Sequence, residues 1–337
     1  MTRKPLMKTA LRLAWLLFLL LCIVAAVFYY DPLWVRDQQT RYKLWRHGAH
    51  SRYLVAGGHR LHYYEVPPSD GSAGTPLLLI HGLGDHAEAW APQIPALAAA
   101  GFHVYVPDLL GYGRSDKPYI TYSIPAEVSA VVDFMHAVGL QRADVAGWSM
   151  GGWIAAELTV NHSTLVDRLV LEDSAGIRFD AHFPRTLFTP TDETGLHRLM
   201  EMLSSRPAAM PHFVARAALR KLGRGGRVVR SSMDSMEAGK DLLDGRLGAI
   251  QQPTLIVWGS EDRLLPISTG LQMHRDIPNS VFATITGCGH LAPSECSGPV
   301  LDATIPFLKA NPPMRRGEES LPGNPPATPR RMPEPPK

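Results

Sequence analysis

Cysteine is scarce in this sequence, with 3 among 337 residues, too few for a disulfide framework. Cys22 lies in an apolar stretch, while Cys288 and Cys296 flank a histidine, His290. Those two thiols could pair in an oxidising compartment, and they lack the further Cys or His partners that zinc needs. Neither sign of charge dominates: 34 Lys and Arg against 31 Asp and Glu leave a formal net charge of +3. So small an excess does not argue for a nucleic-acid partner, and neither a phosphate-loop nor a zinc-ribbon signature occurs. Long apolar runs are missing except for one, close to the start. At 45% hydrophobic and 19% charged the chain is ordinary globular material, which fits one domain with an insertion.

The exceptional run covers residues 13–30, behind Arg3, Lys4, Lys8 and Arg12. As a helix its eighteen residues reach roughly 27 Å, close to the thickness of the hydrocarbon layer. Residues 1–35 therefore read as an N-terminal membrane anchor, the alternative being a signal peptide cleaved near Val24-Ala25-Ala26. Phe28, Tyr29, Tyr30 and Trp34 form an aromatic edge suited to a membrane interface rather than a processing site. The leading positive charges place the start of the chain in the cytoplasm and the domain outside it, although Arg36, Arg41, Lys43 and Arg46 offer a counterweight. If the anchor is cleaved instead, the domain is secreted.

Beyond the anchor, short apolar runs alternate with helical patterns, the signature of a parallel sheet wrapped on both faces. Residues 53–56 and 61–66, joined at Gly57-Gly58, predict an antiparallel hairpin at the leading edge. Residues 77–80 are apolar on both faces, as a central strand demands, and end in His81-Gly82-Leu83-Gly84-Asp85. Helical material at 88–100 and a strand at 103–106 lead to Asp108 and a glycine-rich loop. That loop lacks the spacing and lysine of a phosphate loop, and Asp108 reads as a turn residue. A helix at 124–138 precedes the strand 143–146, which runs into Gly147-Trp148-Ser149-Met150-Gly151. Strand, sharp turn and helix meet there, and Gly147 two residues before Ser149 and Gly151 two after leave room for a serine at strained dihedrals. Further strands follow at 168–171, 254–258 and 281–285.

This pentapeptide is a nucleophile elbow, and the sequence around it resembles the α/β-hydrolase family. Companions occur in the family's order. Asp262 lies on the loop after strand 254–258, in Gly259-Ser260-Glu261-Asp262 with a trailing Leu265-Pro266, and His290 lies on the loop after strand 281–285, followed by Glu295 and Pro299. The resemblance implies an α/β-hydrolase fold: a mostly parallel, doubly wound, eight-stranded sheet with helices on both faces and a helical cap. The hydrolase domain spans 50–310 and the cap is inserted at 176–248, where prolines divide short amphipathic helices at 196–203 and 213–222. The closing helix runs from 291 to 308. The proline-rich tail, 311–337, is expected to be disordered.

The same resemblance assigns Ser149 as nucleophile, His290 as general base and Asp262 as the acid that orients it. The backbone amides of Leu83 and Met150 become the oxyanion hole, and His81 a packing residue. Asp173, at the end of strand 168–171, is a rival acid without the sequence frame that surrounds Asp262. No metal or cofactor is needed. A serine at the elbow excludes the family's haloalkane dehalogenases and epoxide hydrolases, which use a carboxylate there. What remains is an esterase or lipase, a carbon–carbon bond hydrolase, a cofactor-free haloperoxidase or an acyltransferase, with a non-catalytic binding protein as the rival of another class. Anchor and cap favour a carboxylic ester hydrolase acting on lipid-like substrates, similar to membrane-bound monoacylglycerol lipases. The basic residues of the insertion, Arg216, Arg220, Lys221, Arg224, Arg227 and Arg230, read either as a solvated face or as a contact with anionic lipid headgroups.

Overall fold

The computed structural model describes residues 3–314 and 316–323. Nine strands form one sheet in the order β1-β2-β4-β3-β5-β6-β7-β8-β9. The hairpin of β1 (His50–Ala56) and β2 (His59–Val66) turns at Gly57 and Gly58, whose φ angles of 55° and 79° suit the tight turn that matches strand twist. β2 pairs antiparallel with β4 (Phe102–Pro107); every later pairing, through β3 (Thr75–Ile80), β5 (Ala143–Trp148), β6 (Val166–Glu172), β7 (Thr254–Gly259) and β8 (Ser280–Thr286), is parallel.

Strand periodicity of two explains the two cores. Leu78 and Ile80 of β3 point into one apolar cluster, Leu77 and Leu79 into the other. The first cluster is covered by α4 (Ile124–Ala137), α5 (Met150–Asn161) and α8 (Ile267–Asp276), the second by α3 (Ile94–Ala99) and α10 (Ser297–Lys309). α4 starts where Ser123 Oγ accepts from the Ala126 amide and Pro125 stands at the first turn, and it buries Val128, Val131, Phe134 and Met135 at helical spacing. Between β6 and β7 lie α6 (Glu193–Leu203) and α7 (His212–Glu237), with no strand among the described residues.

α7 is one helix of 26 residues where a short helix at 213–222 is expected, since proline is absent from 212–237, and three further features differ from the sequence pattern. The sheet has nine strands rather than eight, because β9 (Gly317–Pro322) pairs parallel with β8 from Val281–Gly317 to Thr286–Pro322. It falls within the 311–337 tail expected to be disordered. An edge strand needs backbone partners more than apolar side chains, so composition conceals it. Residue 315 and residues 324–337 of that tail lie outside the described residues. The closing helix is divided at Cys296 into α9 (Ala292–Glu295) and α10. The third feature is α2 (Pro32–Arg46), which follows α1 (Arg3–Tyr30) directly. Asp31 caps it by accepting from the Trp34 amide, and Leu44 is buried in the second core. Residues 11–30 of α1 are exposed throughout and long and apolar enough to cross a membrane.

Candidate active site

β5 ends at Trp148 and α5 begins at Met150, so Ser149 alone makes the turn. Its backbone stands at φ 57°, ψ −121°, a strained conformation for a residue with a Cβ, and its amide donates to the Glu172 carbonyl at 3.0 Å. A Cβ on Gly147 would lie 2.2 Å from the Gly151 carbonyl oxygen, and one on Gly151 would lie 2.2 Å from that of Ile80. Strand, turn and helix can pack this closely only with glycine at both places.

The loop after β8 carries His290 and the loop after β7 carries Asp262, both at the carboxyl edge of the sheet. His290 Nε2 stands 2.9 Å from Ser149 Oγ, and His290 Nδ1 stands 2.8 Å from Asp262 Oδ2. The Asp262 side chain is fully buried, and its other oxygen accepts from the amides of Leu264 and Leu265 at 2.8 and 2.9 Å. With that carboxylate on Nδ1, the proton belongs on Nδ1 and leaves Nε2 as an acceptor toward the serine. The Trp148 indole N–H donates to the His290 carbonyl at 2.9 Å, and a disulfide joins Cys288 to Cys296 across the same loop with Cα atoms 6.4 Å apart. The residues that restrain His290 therefore come from both sides of it.

Gly82 packs against the elbow: a Cβ there would come within 3.2 Å of Ser149 Cβ. Leu83 follows Gly82 in the chain, and Met150 opens α5. Among the described residues neither amide donates to a protein acceptor. Buried His81 braces this loop, donating from Nδ1 to the Gly82 carbonyl at 2.9 Å and accepting the Leu109 amide on Nε2 at 3.0 Å. Burial holds its pKa below the usual imidazole value, consistent with a neutral ring that does both. From above, α7 closes over the loop. Val229 lies 3.6 Å from where a Gly84 Cβ would be, and Tyr112, edge-on to His81, hydrogen-bonds Ser232 at 2.7 Å.

Asp173 is not on the histidine. It follows β6 at φ 43°, accepts from the Gly259 amide at 2.8 Å, and is pushed well above the usual carboxylate range by burial and by the charge of Asp262. Beside it burial raises Glu172 to about 8, with Gln93 donating to it at 3.1 Å. Sequence patterns gave no sign of Glu172, Gln93 or the Trp148 contact, which depend on neighbours across the sheet. A second serine–histidine–aspartate line lies at the sheet's edge: Ser51 Oγ is 3.0 Å from His62 Nε2, and His62 Nδ1 is 2.8 Å from Asp108. It has neither a strained turn nor a helix start beside the serine, and Arg114 already donates to Ser51 Oγ at 3.2 Å. Asp108 also binds the amides of Ala87 and Arg114, so it ties loops together.

A model of the alpha/beta hydrolase fold matches residues 75–295. An uncharacterized protein of Mycobacterium tuberculosis is 27% identical over 278 residues, covering 74% of this chain and 80% of its own. A 2-hydroxy-6-oxo-6-(2'-aminophenyl)hexa-2,4-dienoic acid hydrolase of Metapseudomonas resinovorans is 30% identical over 267 residues, covering 76% of this chain and 90% of its own. Among solved structures a bacterial membrane phospholipase A, described as a virulence factor, superposes with a TM-score of 0.76 at 24% identity, over 88% of this chain and 97% of that one, a likeness of fold.

Proposed function

The chain belongs to the alpha/beta hydrolase fold family, and from that premise we propose that it is a serine hydrolase of carboxylic esters with lipid-like acyl groups. The observation that carries the reading is the continuous line Ser149–His290–Asp262, with contacts of 2.9 and 2.8 Å, set on a strained elbow. A serine hydroxyl is a weak nucleophile at neutral pH. His290 Nε2 takes its proton as Ser149 Oγ attacks the ester carbonyl, and Asp262 holds the ring and balances the imidazolium charge. The oxyanion of the tetrahedral intermediate receives the Leu83 and Met150 amides, each such donor being worth about 2.7–4 kcal/mol in known cases. Collapse expels the alcohol, which takes the proton from His290 and leaves an acyl group on Ser149. Water then attacks by the same route, and the acid leaves.

The lipid-like substrate is supported by the apolar helix α1, read as an anchor, and by α6 and α7, read as a lid over the elbow. The Cys288–Cys296 disulfide supports an extracytoplasmic domain, since such bonds persist in oxidising compartments. A second reading, carbon–carbon bond hydrolysis, is favoured by the 30% identity to the dienoic acid hydrolase. A panel of para-nitrophenyl esters from acetate to palmitate, with monoacylglycerol and a 2-hydroxy-6-oxodienoate alongside, separates the two. Turnover of the esters, lost in Ser149→Ala, is expected. Turnover of the dienoate alone would overturn the ester reading, and the absence of any Ser149-dependent turnover or fluorophosphonate adduct would favour a binding protein.

A further inference from the structure

The cap is fastened to the end of the apolar helix. Phe213, in the first turn of α7, stacks on Tyr29 with ring centroids 5.4 Å apart and meets Phe28 at 6.0 Å. Further along α7, Arg220 lies over the Tyr30 ring at 4.9 Å and donates to the Tyr30 carbonyl, and Lys221 pairs with Asp37 at 2.8 Å. As numbers rise on α7 from 213 to 221, the partners move from 28 to 37, away from the apolar span. The start of α7 therefore points back toward that span.

Before Phe213 come His212, exposed and paired with Glu193 at 2.6 Å, and then the loop Pro207-Ala208-Ala209-Met210-Pro211, which has no polar side chain. Residues 208–211 are exposed, Met210 by 36%. Arg206 and Arg216 flank the loop, both exposed and without an ion pair among the described residues. An apolar tip with two unpaired arginines and one His212–Glu193 pair around it suits a segment seated at the boundary of headgroups and acyl chains. At the loop's other end, the Leu203 carbonyl accepts the Leu291 amide at 3.0 Å, and a Cβ on Gly289 would lie 2.5 Å from the Ser205 nitrogen. The tip is thus continuous with the segment that packs on the His290 loop.

We propose that residues 207–211 insert into the same bilayer leaflet that holds the end of α1. The cap then has a second membrane contact, and the Ser149 elbow beneath it receives amphiphilic esters from that leaflet instead of from water. The proposal rests on reading α1 as a membrane anchor. It commits to the bilayer because the loop is continuous, through Phe213, with Tyr29 and Phe28 of the span itself.

The test uses the full chain with Cys22→Ser, the Cys288–Cys296 disulfide kept, reconstituted in vesicles of phosphatidylcholine and phosphatidylglycerol. Single cysteines at Met210, at Leu17 in the span and at Ser72 in an exposed loop carry an environment-sensitive fluorophore, and nitroxide-labelled lipids serve as quenchers. The expected result is blue-shifted, quenched emission at 210 and 17 and water-like emission at 72. Quenching at 17 with water-like emission at 210 overturns the proposal and leaves the anchor standing, whereas water-like emission at both overturns both. Neither readout depends on catalysis, so a failure of the ester reading stays separate. In the same vesicles Met210→Asp should lower turnover of embedded monoacylglycerol about tenfold or more while leaving turnover of a soluble acetate ester unchanged. Equal effects on both substrates would also contradict the insertion.

Discussion

At the scale of single residues, Asp262 and Asp173 are two buried carboxylates at neighbouring strand ends, and only Asp262 reaches His290. Asp262→Asn keeps the shape but no longer favours the proton on Nδ1, so kcat should fall by about 10⁴, as for comparable triads. Asp173→Asn can keep its oxygen on the Gly259 amide and replaces a carboxyl that burial already disfavours as an anion. It should leave kcat within about threefold of the parent. Steady-state kinetics of the two variants on one ester check both, and the reverse ranking would reassign the acid. Ser149, His290 and Asp262 are legible in the chain because each sits in a short frame of glycine and apolar residues that reflects a strand end. Gln93, Glu172 and Trp148 are not, because their partners are set by packing between segments far apart in sequence.

Among the elements, the loop that carries His290 is restrained by a disulfide at its two ends and by the Trp148 hydrogen bond between them. A bond closing so short a loop removes about 2–3 kcal/mol of unfolded-state freedom in the chain-entropy model. The double variant Cys288→Ser, Cys296→Ser should therefore melt several degrees lower, and dithiothreitol should lower the melting temperature of the parent but not of the variant. Calorimetry with and without the reductant checks this, and an unchanged parent would show that the bond contributes nothing to stability. Two elements escaped the sequence pattern. β9 has mostly exposed side chains and is specified by the free edge of β8, while α2 is announced only by the Asp31-Pro32 cap and one buried leucine, Leu44. Central strands such as β3 and β7, apolar on both faces, leave no such ambiguity.

For the whole molecule, several carboxyls are held uncharged in the cores. Burial raises Glu127 and Glu172 to about 8 and Asp144 to about 7. Above the ordinary carboxylate pKa the unfolded chain has lost protons that the folded chain keeps, so raising the pH favours unfolding until the folded groups ionise near 7–8. Stability should thus decline between about pH 4.5 and 8, and Glu127→Gln should remove part of the decline, on the order of a few kcal/mol. Denaturant midpoints at pH 5 and pH 8 for both chains check it; an equal decline in the two would place the effect elsewhere. The broad architecture is legible at this scale because alternating strands and helices, one elbow and one long apolar run admit few arrangements. The way the apolar helix contacts α7 is not, since Phe213 and Tyr29 are brought together only by the fold.

The central claim is that Ser149, and not the similarly arranged Ser51, forms an acyl-enzyme. Rapid mixing of the full chain with excess para-nitrophenyl ester, acid quenching and peptide mass spectrometry test it most directly. A burst of nitrophenol equal to the enzyme concentration and an acyl group on the peptide holding Ser149, both absent from Ser149→Ala, are the predicted results. Turnover with no acyl group on that peptide under any quenching time, or an acyl group on Ser51 that survives in Ser149→Ala, would contradict it.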